Sequence, residues 1–302
     1  MTSKVPPSRA AVRNAVGSAI ATAMASIALR GAQSQSGRLR RTNFHGRTVS
    51  LRGGIGVAVG AVTAGACAGR CPHDTRGPEN PVSAIAAVTA ATAGGVAGLV
   101  DDLDAGAHDG DAPAKGLKGH LTALRHGRVT TGALKIAVIG GGAVIAGGLL
   151  AGGRRHDHAA KTLADAANGA VVIASWANLH NLLDLRPGRA LKAAVITCGP
   201  MLADRRPEAA SSRVLAAGAL GTAAAALPED LAEHTMLGDT GANALGALVG
   251  TALAAHPSRA LRVAAAIIGT GLVLASERIS FTRVIENNRV LSAVDRLGRR
   301  PQ

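Results

Sequence analysis

Residues 82–104 read VSAIAAVTAATAGGVAGLVDDLD, an uncharged run from Val82 to Val100 that ends on Asp101, Asp102 and Asp104. An apolar run of this length approaches the ~20 residues a helix needs to cross a bilayer. Carboxylates stand where it stops. Outward from it, further apolar segments recur at about residues 11–29, 54–69, 131–152, 160–177, 190–203, 210–227, 241–255 and 260–275. The shorter ones need tilt or local thinning to span. The expectation is all-α: a polytopic membrane helical bundle with about nine to ten transmembrane helices. It forms a single integral membrane domain over residues 1–302, with a basic tail from about residue 276.

Composition supports that class. Hydrophobic residues make up 47% of the 302, yet aromatics are 1%, with Trp176 the only tryptophan. A soluble core of this size draws on Phe, Tyr and Trp, which bury the most area per residue. Here the apolar fraction is Ala, Val, Leu and Ile with 39 Gly, the mix that lets membrane helices approach backbone to backbone. The net charge of +14 raises nucleic acid as a partner, because Lys and Arg release counterions on phosphate. No basic stretch is interleaved with aromatics that stack on bases, so nucleic acid is not expected. Basic loops on the inner side of a membrane explain the charge instead. With the N-terminus outside, residues 30–53, 101–130, 178–189, 228–240 and the tail are cytoplasmic. The basic residues favour that side, and the acidic motifs share it. The first apolar segment follows a polar stretch without a clear cleavage site, so it reads as a retained span.

Three polar motifs sit at ends of apolar runs. The first is Asp101-Asp102-Leu103-Asp104. Adjacent carboxylates repel unless a cation binds, and magnesium typically takes one or two carboxylates plus phosphate oxygens; a solvated loop is the other reading. Lys115, Lys118, Arg125 and Arg128 follow, either as phosphate contacts or as an inner loop. The second motif places Asn178, Asn181 and Asp184 at i, i+3, i+6, roughly one helical face. Amides so spaced suit a nucleobase edge, and Arg186 and Arg189 beyond them suit phosphates; a polar contact between helices fits equally. The third is Gly238-Asp239-Thr240-Gly241, a tight turn entering a helix, whose N-terminus favours phosphate or is simply capped.

Other features read as structural. Ile139-Gly140-Gly141-Gly142-Ala143-Val144 lacks the dinucleotide fingerprint and its strand–helix context, so it reads as a glycine-rich helix. His156-Asp157-His158 reads as a solvated outer loop. Cys67, Cys71 and Cys198 show no zinc spacing, and read as small packing residues, with a Cys67–Cys71 disulfide the alternative.

In order, these motifs resemble the polyprenyl-phosphate N-acetylhexosamine phosphate transferase family, which includes phospho-N-acetylmuramoyl-pentapeptide transferase. The matching pieces are Asn43-Phe44-His45-Gly46-Arg47, Gly98 to Asp102, Lys115-Gly116-Leu117-Lys118, Asn178 to Asp184, and Met236 to Gly246. The resemblance implies a bundle of about ten membrane helices with a cytoplasmic site. It also implies Mg²⁺-dependent transfer of a sugar phosphate from a UDP-sugar to polyprenyl phosphate, with release of UMP, in bacterial cell-envelope assembly at the inner membrane. Asp101 would then deprotonate or position the lipid phosphate, and Asp102 would assist it or the metal. Asp239 would ligate magnesium, Asn178, Asn181 and Asp184 would contact the nucleotide, and Lys118, with Lys115, Arg186 and Arg189, would contact phosphates. A homodimer is allowed. The chain departs from the family pattern at Ala242, where serine is usual, and at Leu185 to Arg189, where an acidic element is usual. It also lacks the family's His-rich element near the end. A catalytically inactive, family-derived scaffold or lipid-binding protein is the alternative. A transporter fits less well, because the polar groups cluster at one edge and not at mid-membrane.

Overall fold

The computed structural model describes residues 8–32, 37–69, 81–104 and 130–299. The expected apolar segments all fall on helices. They are α1 (Arg9–Ala32), α2 (Arg52–Ala68), α3 (Pro81–Asp104), α4 (Thr131–Gly152), α5 (Ala159–Leu183), α6 (Arg189–Met201), α7 (Ala210–Leu231), α8 (Gly238–Ala254) and α9 (Arg259–Ser276). The tail adds two short helices, α10 (Phe281–Asn287) and α11 (Arg289–Arg296). Between α1 and α2 lies an antiparallel hairpin, β1 (Arg40–Thr42) and β2 (Thr48–Ser50), pairing Arg40 with Ser50 and Thr42 with Thr48. Neither the hairpin nor the tail helices follow from apolar periodicity.

Among the described residues five helical segments are long and apolar enough to cross a membrane: Arg9–Gly31, Pro81–Asp104, Thr131–Gly152, Pro207–Leu231 and Arg259–Ser276. Helix α2 is apolar but only 17 residues long. This is fewer than the nine to ten crossings expected. The remaining helices are shorter or carry charge, as α5 does with Lys161 and Asp165.

The first helix is polar inside and apolar outside. Its buried positions include Asn14, Ser18, Thr22 and Ser26, while Val12, Val16, Ile20, Met24 and Ile27 are exposed. A water-facing helix shows the reverse pattern. Small polar side chains inside and branched apolar ones outside suit lipid contact. Asn14 Nδ2 donates to the Ala64 carbonyl of α2 at 3.0 Å and to the Val214 carbonyl of α7 at 2.9 Å. Ser18 Oγ donates to the Gly218 carbonyl at 2.9 Å. These hydrogen bonds tie α1 to α2 and α7.

The bundle is built around α8, every residue of which except Asp239 is buried. A helix apolar all round belongs in the interior. Helices α2, α3, α5 and α7 surround it, with α6 and α9 touching it less. Its glycines permit close approach: a Cβ at Gly250 would lie 2.8 Å from the Ile173 Cα of α5, and one at Gly246 2.8 Å from the Ala177 Cα. The N-terminus of α8 is thereby held where α3, α4 and α5 bring their polar ends.

Candidate functional site

The first amides of a helix have no intrahelical acceptor. Leu237, at the cap of α8, offers no side-chain hydrogen bond. Two of the acidic motifs supply the acceptors from far away in sequence. Asp102 Oδ1 accepts from the Asp239 amide at 3.1 Å, and its Oδ2 from the Thr240 amide at 2.9 Å and the Thr240 hydroxyl at 2.6 Å. Asp184 stands beside the Gly238 amide, which favours its charged form. Carboxylates are favoured at this end by the helix dipole as well as by the free N–H groups. Gly238 adopts φ +57°, which turns the chain into the helix beneath Asp102.

The third carboxylate contact is through a lysine that sequence reasoning passed over. Lys135, at the start of the second turn of α4, places Nζ 3.1 Å from Asp101 Oδ2 and 2.5 Å from Asp239 Oδ2. Its side chain is only 13% exposed, so the ammonium bridges both carboxylates in a shielded place and offsets one of their two charges. A lone charge in an otherwise apolar helix was the available signal. Arg41, from the hairpin, donates to the Asp102 carbonyl, and Asn243 Nδ2 donates to the Asp239 carbonyl at 2.8 Å. Neither was anticipated.

Asp101, Asp102, Asp184 and Asp239 thus meet around one helix end, although they span 138 residues of sequence. Burial drives the Asp184 carboxyl well above the ordinary aspartate range, and the Asp230 charge adds to this; the Gly238 amide opposes it. Asp184 Oδ2 has no hydrogen-bond partner. One and two turns earlier on α5, Asn181 and Asn178 are half-buried. His180 between them is wholly buried, donating through Nδ1 to the Trp176 carbonyl at 2.9 Å while Nε2 has no partner.

The two arginines beyond the motif serve the tail. Arg189 binds both oxygens of Asp295, at 2.8 and 3.1 Å, and Thr282 at 3.2 Å. Arg186 donates to Glu286 at 2.7 Å and lies 3.3 Å over the Phe44 ring, a cation–π contact. Phe44 belongs to the Asn43–Arg47 turn of the hairpin. Glu233 anchors that turn, accepting from Asn43 Nδ2 at 2.6 Å and meeting His45 Nδ1 at 3.0 Å and Arg47 at 3.3 Å. Glu233 was another residue no local pattern identified. Lys115, Lys118, Arg125, Arg128 and Cys71 lie outside the described residues.

Comparison with known proteins identifies no relative. No family model, no curated protein and no solved structure matches the chain. The site therefore has to be read from its own geometry.

Among the described residues no cluster of three or more His, Cys, Asp or Glu side chains is arranged to hold a metal ion. Magnesium, however, commonly uses only one or two carboxylates and takes its other oxygens from phosphate and water. Asp101 and Asp239 fit that role: they are hard oxygen donors already converging on one positive charge. Asp102 fits it less well, because three donors already occupy its oxygens.

Proposed function

We propose that this chain is a membrane-bound glycosyl-phosphate transferase, moving a sugar phosphate from a UDP-sugar to a polyprenyl phosphate on the cytoplasmic face of a bacterial inner membrane. One observation carries the reading. The acidic motifs, separated in sequence, converge on the N-terminus of a buried helix at one end of an apolar bundle. An oxygen of the lipid phosphate would attack the sugar-bearing phosphorus, forming one P–O bond while the P–O bond to UMP breaks. Such transfers need alignment and charge neutralisation more than covalent help from the protein.

In this reading Asp102 holds the helix end fixed, so that Asp239 stays aimed at the reacting phosphates. Asp101 orients the lipid phosphate and accepts its proton. Lys135 holds the carboxylates together and offers its ammonium to the incoming diphosphate. Asp184, Asn181 and Asn178 line the side from which a nucleotide would be read. Bound Mg²⁺, held by Asp101 and Asp239, would supply the remaining neutralisation of phosphate charge. Transfer of radiolabel from a panel of UDP-sugars to polyprenyl phosphate in membranes, with and without Mg²⁺, tests the proposal. Absence of lipid-linked product with every donor would reject it.

The alternative, a non-catalytic lipid-binding or scaffold protein, draws on a specific feature. Lys135 already bridges the Asp101–Asp239 pair, and Asp102 is fully engaged in capping, so these three carboxylates have partners without a ligand. Binding of UDP-sugar or polyprenyl phosphate without turnover would favour it.

A further inference from the structure

At the opposite end of the bundle from the carboxylate cluster, a cavity of about 440 Å³ opens between the first turns of α5 and α9. Its polar lining is His156, Lys161, Asp165, Asn168, Arg259 and Arg262. Both helices begin here, so both positive dipole ends face it. The floor is a buried ion cluster. Asp165, with its side chain 9% exposed, receives Arg154 at 2.7 Å and Arg262 at 2.8 Å. Two guanidiniums on one carboxylate leave positive charge in excess. Arg262 is 6% exposed; its terminal nitrogens bond Asp165 and the His256 and Pro257 carbonyls, while its Nε has no acceptor.

The rim adds to that charge. The sequence suggested a solvated His156-Asp157-His158 loop, and Asp157 and His158 are indeed exposed. His156 instead turns inward, with Nε2 lacking a hydrogen bond and lying 3.5 Å from Asp165. Lys161 reaches the exposed Asp157, and the exposed Arg259 lines the cavity. Farther along the same two helices Val171 and Ile267 are exposed, and the exposed Val263 lines the cavity itself. Cationic groups therefore stand above an apolar, outward-facing stripe.

We propose that this cavity binds the phosphate headgroup of an anionic phospholipid in the leaflet opposite the carboxylate cluster, with the acyl chains lying along α5 and α9. Basic pockets between membrane helices bind such headgroups through charge and helix-end amides. The rim cations Lys161 and Arg259 are placed to hold the phosphate, above the buried Arg262, whose Nε has no acceptor, and His156, which pairs loosely with Asp165 at 3.5 Å. The apolar stripe distinguishes a lipid from free phosphate as the source of the anion. This site does not depend on the function assigned to the other end.

The test is native mass spectrometry of the full chain in detergent, titrated with phosphatidylglycerol, with phosphatidylcholine, and with inorganic phosphate as competitor. Lys161→Gln and Arg259→Gln, together and singly, are the variants; both side chains are on the rim, so the buried cluster stays intact. Phosphatidylglycerol should bind more tightly than phosphatidylcholine. Each variant should weaken it about fivefold and the pair about 25-fold, the effect of roughly one interfacial charge apiece. Millimolar phosphate should not displace it. Equal affinity for the two lipids, or unchanged phosphatidylglycerol binding in the double variant, would overturn the proposal. Displacement by phosphate would overturn the lipid as its source. Unchanged melting of the variants without lipid confirms that the loss is in binding and not in folding.

Discussion

Gly98→Ala is the change that most sharply probes how the site is held. Gly98 lies on α3 against the first turn of α8, and an added Cβ would fall 2.5 Å from the Thr240 nitrogen, with Asp239 backbone atoms nearer still. Ordinary contact begins at 3.4 Å, and these neighbours are backbone, so no side chain can swing aside. The helices must part by about 1.2 Å to bring the Asp239 carbonyl oxygen back to contact distance. The Asp102 hydrogen bonds to Asp239 and Thr240, now 3.1 and 2.9 Å, would stretch toward about 4 Å and be lost. Overpacking costs about 1–3 kcal/mol and hydrogen bonds to a charged group about 1.5–3 kcal/mol each. Partial relaxation leaves a net loss of about 2–4 kcal/mol, or roughly 3–6 °C in melting temperature. Trp176 is the only tryptophan and is buried against α9, so its fluorescence in detergent reports the transition. Gly140→Ala on α4 is the control, because nothing lies within 4 Å of its added Cβ. It should be neutral or gain up to about 1 kcal/mol. If Gly98→Ala melts like the wild type, or Gly140→Ala loses as much, the close approach of α3 to α8 is refuted.

Other consequences follow from individual contacts. Lys135→Met leaves Asp101 and Asp239 facing each other, so melting temperature should fall without divalent cation and recover in millimolar Mg²⁺; a variant insensitive to Mg²⁺ would contradict the cation-site reading. Asn14→Leu removes two hydrogen bonds between helices and should cost about 1 kcal/mol in thermal unfolding, whereas an unchanged melting point would show they contribute nothing. Burial raises the Glu233 carboxyl, but hydrogen bonds from His45 and Asn43, with the charges of His45 and Arg47, outweigh it and leave it lowered. A lowered carboxylate contributes stability above its unfolded value of about 4.3, and that contribution is lost as pH falls through the folded value. Protease cleavage in the hairpin should therefore rise in acid, and Glu233→Gln should show high cleavage already at neutral pH.

The helical segments were legible because apolar runs bounded by charges or proline are local signals. The nine runs, including Val82–Val100 and Thr131–Gly152, each coincide with a helix. The hairpin was not, because its turn is fixed by Glu233, some 190 residues away. The tail helices escaped because α11 is short and capped by Asn288, which accepts from the Val290 and Leu291 amides. In the site, the clustering of Asp101, Asp102, Asp184 and Asp239 was anticipated from their shared position at ends of apolar runs. Their division of labour was not. Asp102 caps a helix 137 residues onward, and Lys135 joins two carboxylates, both being tertiary contacts with no local signature.

The central claim is tested most directly by sugar-phosphate transfer to polyprenyl phosphate in membranes carrying the wild type, Asp101→Asn or Asp239→Asn. The account predicts Mg²⁺-dependent lipid-linked product with stoichiometric UMP from at least one UDP-sugar, reduced about 100-fold or more in either variant. No product from any donor, or full UMP release by the variants, would contradict it.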